Sequence, residues 1–182
     1  SHPKLWSKFL NSEYRSKYNI YIHNKNDFTG EFEKYCIQNK VKETKHGHIS
    51  LIEATITLFR EAYNTKENKF FILLSDKCIP LYNANHIYNE IKKYDNNIIA
   101  SYFMNMNIKR FHLLQDKTFF NINEFAKQNQ WMILNRNCVN FFIENDFMHI
   151  FGDKAQAPDE HYFINIIHKY NIPFVNKKIT YT

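Results

Sequence analysis

The sequence predicts an α/β fold in which a mainly parallel central sheet carries helices on both faces. Three observations lead there. Short apolar runs, such as residues 69–74, alternate along the chain with segments of helical periodicity. Those runs are continuous, not alternating apolar and polar, which is how a strand buried on both faces reads. Gly and Pro are scarce, at 3 and 4 of 182 residues, which argues against a loop-rich or repeat-built protein.

The elements follow in chain order. Residues 3–10 place Leu5, Trp6, Phe9 and Leu10 on one helical face. Residues 19–23, Asn-Ile-Tyr-Ile-His, read as a strand, and 24–30 as a polar turn. The strongest helix is expected over 50–63. There Leu51, Ala54, Thr55, Leu58, Phe59 and Ala62 recur at helical spacing, and Ser50 with Glu53 spells a capping box. Residues 69–74 read as a buried parallel strand. A helix is expected over 83–94, strands over 98–103 and 131–134, and a helix over 136–144. A last helix is expected over 159–170, with Pro158 at its start. No repeat, low-complexity tract or linker interrupts the chain, so residues 1–182 are expected to form one domain.

Composition narrows the function classes. A chain of this length buries roughly two-thirds of its unfolded surface and needs no disulfide framework. Apolar residues at 44% and charged residues at 23% exclude a disordered tail or a coiled coil. The net charge is +6, from 24 basic and 18 acidic residues, and it is scattered along the chain. A nucleic-acid module is therefore disfavoured, since no basic block or recognised motif is present. Cys36, Cys78 and Cys138 form no CxxC and read as three buried thiols. No run approaches the ~18 apolar residues of a membrane span, and no signal peptide opens the chain, so this sequence reads as soluble. Its abrupt ends lead to the expectation of an excised domain, from which an anchor could have been lost.

Several segments carry chemistry. Ala157-Pro158-Asp159-Glu160-His161-Tyr162 is the densest polar cluster. Two carboxylates just after a Pro complement a helix N-terminus; equally, one of them could project into a cleft as a general base. Ser75-Asp76-Lys77 follows a buried strand, where ligands of open α/β sheets collect, or is simply a polar loop. Lys109-Arg110-Phe111-His112 and the segment from Lys127 to Trp131 join cations to rings that could stack on nucleic-acid bases or equally on a sugar, or are surface residues with no shared role. His46 and His48 lack a third partner in register, so no zinc site is expected. No Asp-x-Asp, GxGxxG, GxxxxGK[ST] or GxSxG occurs, so no metal and no resident cofactor are expected.

Five segments in order resemble the core-2/I-branching enzyme family, glycosyltransferase family 14, and its plant branch in particular. They are Gly47-His48-Ile49-Ser50-Leu51-Ile52-Glu53-Ala54, the run from Phe71 to Tyr82, Arg110-Phe111, Gln130-Trp131 through Arg136, and Asp159-Glu160-His161-Tyr162. The resemblance implies a GT-A type fold. It implies an inverting, metal-independent transfer of a sugar from a nucleotide sugar to a glycan or other hydroxyl, with N-acetylglucosamine or xylose from a uridine diphosphate as the leading donors. It assigns the catalytic base to Glu160, with Asp159 as its neighbour. A base with a raised pKa would suit this chemistry. It places His23, Ser75 and Asp76 at the donor, and Arg110, Trp131 and Arg136 also in substrate binding. Family members are anchored in the Golgi by an N-terminal helix, so a longer parent would be a luminal domain of that kind; otherwise the chain is expected in the cytoplasm. The family's first strand and its diphosphate-binding cations fall outside this sequence, and Lys177 and Lys178 are not assigned that role. The alternative expectation is therefore a degenerate domain that binds carbohydrate or protein without catalysis.

Overall fold

The computed structural model describes residues 3–11, 13–24, 30–38, 43–99, 102–103 and 108–180. Much of the 24–30 turn, and the middle of the 98–103 strand, lie outside them. Among the described residues, no helix is long and apolar enough to cross a membrane.

Four strands form the central sheet: β1 (Phe70–Ile72), β2 (Asn97–Ile99), β5 (Met132–Asn135) and β6 (Phe174–Asn176). Their order is β1-β5-β2-β6. β5 runs antiparallel to both neighbours, and only β2 and β6 pair in parallel. The mainly parallel sheet expected from sequence is thus corrected to a mixed one. The reason is that a continuous apolar run reports coverage of both faces, not strand direction. Coverage itself is observed. Ile98 and Ile133 are register partners on one face, Met132, Leu134 and Ile99 point to the other, and all five are buried. A two-stranded ribbon, β3 (Tyr102–Phe103) with β4 (Lys127–Gln128), lies between the carboxyl end of β2 and the start of β5. The expected 98–103 strand is therefore two strands in two sheets. The expected 19–23 strand reduces to an extended segment with one parallel bridge, Ile22 to Cys36.

The helices are α1 (Pro3–Leu10), α2 (Ser50–Tyr63), α3 (Ala84–Lys92), α4 (Ile108–Phe111), α5 (Arg136–Glu144), α6 (Met148–Phe151) and α7 (Tyr162–Lys169). Asn83 and Asn135 cap α3 and α5 by accepting from the His86 and Cys138 N–H groups, at 2.8 and 2.9 Å. The capping box expected at Ser50 is not made. Ser50 is already helical, and its hydroxyl instead accepts from the Lys45 N–H at 3.0 Å. The last predicted helix also starts later, because residues Pro158–Glu160 form a separate 3-10 turn.

Ile52, Ile56 and Phe59 of α2 join Phe142 of α5, Phe163 and Ile167 of α7 and the inner face of the sheet in one core. Edge-to-face rings knit it, with Phe59 6.0 Å from Phe163 and Phe142 4.9 Å from Phe163. A smaller cluster gathers Trp6, Phe9 and Leu10 of α1 with Ala84 and Ile87 of α3. Trp6 reaches across to donate to the Cys78 carbonyl at 3.0 Å, and Tyr18 to the Ala84 carbonyl at 2.6 Å.

Candidate active site

Because β5 is antiparallel, its first residue lies level with the carboxyl ends of β1 and β2. The Leu73 N–H donates to the Met132 carbonyl at 3.0 Å. The loop after β1, Trp131 and the β3–β4 ribbon therefore share one end of the sheet. This is where ligands enter open α/β sheets. The acidic turn Pro158–Glu160 meets the ribbon there.

The turn is fixed by its backbone. Ala157 adopts a left-handed conformation, φ 46° and ψ 52°. That costs a non-glycine residue about 1 kcal/mol. Its N–H donates to the Gly47 carbonyl at 2.9 Å, and its carbonyl accepts from the Glu160 N–H at 3.0 Å. Gly47, just ahead of α2, has φ +68°, which explains glycine at that place in the sequence.

Glu160 is ion-paired through Oε2 to the Arg110 guanidinium from α4 and, at 3.2 Å, to Lys127 Nζ from β4. All three side chains are between a fifth and a third exposed, so the cluster borders solvent without being bathed in it. Burial raises the Glu160 pKa, but hydrogen bonds and charge from Arg110 and Lys127 outweigh it and hold the carboxyl below its usual range. The raised pKa expected of the base is thus found on its neighbour instead. Asp159 is pushed up chiefly by burial, with the Glu160 charge adding to it against its own backbone N–H, His46 and Arg110. Its Oδ1 is buried and finds no hydrogen-bond partner among the described residues.

His161 is 1% exposed. Its Nδ1 faces the Ala126 carbonyl at 2.8 Å, and its Nε2 faces Arg110 Nη1 at 3.2 Å. Burial first, and then the nearby Arg110, push its pKa down to about 4 against the Ala126 hydrogen bond.

The remaining sequence candidates divide. Trp131 is half-buried at the ligand end of the sheet. Ser75 closes a turn there, its hydroxyl accepting from the Lys77 N–H at 3.2 Å, and Asp76 pairs with Lys77 at 3.6 Å in the open. His23 follows the Ile22–Cys36 bridge, on a separate stretch of chain. Arg136 lies at the opposite end, where its N–H donates to the Lys69 carbonyl ahead of β1. Its guanidinium donates to the carbonyls of Tyr63, Thr65 and Asn68 at 2.7, 3.0 and 3.1 Å and stacks on the Tyr63 ring. Sequence reasoning noticed Lys127 only as part of a basic–aromatic group and gave His161 no role of its own. No spacing signal ties Lys127 to Glu160, whereas His161 directly follows Glu160 in the Asp159-Glu160-His161-Tyr162 segment, and that adjacency was the signal available. A shallow depression of about 580 Å³, lined by Arg60, Tyr63 and Glu144 among others, opens at the far ends of α2 and α5 and holds none of these groups.

Comparison with known proteins agrees with the family resemblance. The chain is similar to glycosyltransferase BC10 of rice (Oryza sativa subsp. japonica), at 25% identity over 150 residues. That stretch is 78% of this chain but 37% of the rice protein, so the chain spans well under half of its relative. The family model described as "Branch: Core-2/I-Branching enzyme" matches residues 2–182, practically end to end. This chain belongs to the core-2/I-branching enzyme family.

Proposed function

We propose that this chain is the catalytic part of a glycosyltransferase of GT-A type that moves a sugar from a nucleoside diphosphate sugar to the hydroxyl of a glycan or related acceptor. Transfer is a single in-line displacement with inversion. The acceptor oxygen bonds to the anomeric carbon, the bond to the diphosphate breaks on the opposite face, and the acceptor proton passes to Glu160. The observation that carries this reading is the half-buried Glu160 carboxylate, held ionised by Arg110 and Lys127 at the ligand end of the sheet. An ionised carboxylate can accept a proton at neutral pH, and the two cations fix its direction. They lower its basicity as well, which suits a step in which the proton moves as the new bond forms. In-line geometry places the diphosphate on the face away from Glu160, so Arg110 and Lys127 serve the base and the acceptor, not the leaving group. We assign no metal and no resident cofactor to the step. Ser75, Asp76 and His23 remain the proposed donor contacts, and Trp131 an acceptor contact.

The test is release of nucleoside diphosphate from a panel of sugar nucleotides, with and without chelator. Release that survives chelator and falls at least ~100-fold in Glu160→Gln supports the reading. Saturable donor binding with no release would favour the degenerate binding domain instead. One observation favours a variant of the mechanism: Asp159 carries the raised pKa. If Asp159→Asn abolished release while Glu160→Gln kept it, the base would be Asp159.

A further inference from the structure

We propose that His161 is a positioning residue for the Glu160 carboxylate, acting through Arg110 as a neutral imidazole locked in one tautomer. The inference rests on the reading of Glu160 as the base. The tautomer follows from partners. A carbonyl can only accept, so the contact from Nδ1 to the Ala126 carbonyl, at 2.8 Å, puts the proton on Nδ1. Nε2 then carries the lone pair and accepts from Arg110 Nη1 at 3.2 Å. The same Nη1 engages Glu160 Oε2. One guanidinium nitrogen thus bridges ring and carboxylate.

The far end of the relay is fixed as firmly. Asn165, 3% exposed, donates to the Ala126 carbonyl and to the His161 carbonyl, at 2.8 and 2.7 Å. Its Oδ1 accepts from the Ala126 N–H at 2.8 Å. Both polar groups of the Ala126 peptide that face α7 are therefore held by one amide. The imidazole is clamped from the side by Phe125, with centroids 4.7 Å apart and planes 13° from parallel. Phe125 in turn packs edge-to-face on Phe111, the residue after Arg110, at 5.4 Å. The ring that accepts from Arg110 and the backbone that carries Arg110 are braced by the same aromatic pair.

Protonation would break the device. An imidazolium has two donors, so Nε2–H would confront the Arg110 donor and add a second positive charge beside it. Among the described residues, these charged groups face one another. Glu160 faces Arg110 from α4, Lys127 from β4 and Asp159 on its own turn. His161 faces Arg110, Lys127 and Glu160, and Asp159 also faces His46.

Two variants test this, because Asn places its amide near the Nδ1 position and Gln near Nε2. His161→Asn keeps a donor for Ala126 and loses the acceptor for Arg110. His161→Gln keeps an acceptor for Arg110. The first readout needs no turnover: the carboxyl titration of Glu160, followed by carbon-13 NMR in the full chain. The midpoint should rise in His161→Asn and stay near wild type in His161→Gln. The second readout is the pH profile of kcat/KM with the donor found active. It should show an acid limb moved to higher pH and a loss of about 10- to 100-fold in His161→Asn, largely rescued in His161→Gln. An unchanged Glu160 titration in a folded His161→Asn would overturn the proposal. A shifted titration in a protein that turns over no sugar nucleotide would leave the positioning intact and sink the transferase reading.

Discussion

Arg136 offers the sharpest separation of architecture from substrate binding. The motif order suggested a substrate contact, yet its guanidinium is spent on three carbonyls, of Tyr63, Thr65 and Asn68, and on the Tyr63 ring with Cζ 3.9 Å from the centroid. These bonds staple the end of α2, and the turn after it, to the start of α5. Arg136→Met keeps the stem and removes every donor. A hydrogen bond from a charged donor is worth about 1.5–3 kcal/mol when buried. Arg136 is only half-buried and water can replace part of each bond, so about 1 kcal/mol apiece is the working figure, or about 3 kcal/mol in all. The lost cation–π contact adds about 0.5 kcal/mol. With an m-value of ~2 kcal/mol/M, the urea midpoint should fall by roughly 1.75 M at constant m. Arg136→Lys should lose more than half as much, since one ammonium cannot span three carbonyls. Donor and acceptor KM should not move in either variant. A tenfold rise in KM with an unchanged urea midpoint would refute the staple and restore Arg136 to the substrate.

Three further outcomes follow from single sites. The His161 pKa lowered from 6.5 to about 4 means that the unfolded chain takes up a proton the native chain refuses between those pH values. Stability should thus be full above pH 6.5 and fall as pH drops to 4. The loss is about 3 kcal/mol, shown as the difference between wild-type and His161→Asn urea curves across that window. At Gly152, with φ +66°, an added Cβ would sit 2.9 Å from the Gln115 Cβ, whose own backbone is bonded to Ile150 and Phe151. Gly152→Ala should cost about 2 kcal/mol and lower Tm by roughly 5 °C in calorimetry. Cys138 is 2% exposed and its thiol is pushed up to about 12 by burial, while Cys36 and Cys78 are half-buried. Thiol labelling of the native protein at pH 8 should modify Cys36 and Cys78 and reach Cys138 only on unfolding.

Helices α1, α2 and α5 were legible to the residue because their signals are local. Apolar spacing found Phe9 and Leu10 of α1 and Ala54, Phe59 and Ala62 of α2, although Leu5 is exposed and Ile52 and Ile56 are buried beside the expected face; at α5 the Asn135 cap sits where its side chain can close the first turn. Strand direction was not legible. Both faces of β5 are buried, so its run of apolar residues would read the same whichever way it pointed. That one ambiguity propagated to the site. A parallel strand at Met132–Asn135 would carry Arg136 to the ligand end of the sheet; the antiparallel strand carries Trp131 there and sends Arg136 away. The acidic pair Asp159-Glu160 was visible as a cluster, and Arg110 as a candidate beside a substrate. Their pairing across 50 residues was not, because it depends on α4 and the Pro158–Glu160 turn meeting through Phe111, Phe125 and His161.

The site divides its duties between backbone and charge. The acidic turn is held by the Gly47 carbonyl on Ala157, by the Ala157 and Pro158 carbonyls on the next turn, and by Asn165 on the His161 carbonyl. None of these bonds involves the Glu160 carboxylate. Its ion pairs border solvent, where such pairs contribute about 0–1 kcal/mol. The strain at Ala157, a non-glycine residue in a left-handed conformation, is thus sustained by bonds that survive removal of the charge. A carboxylate mounted this way can gain and lose a proton without loosening the turn that aims it. The cations beside it then set when it titrates, and the buried His161–Asn165 pair sets where the nearer cation sits.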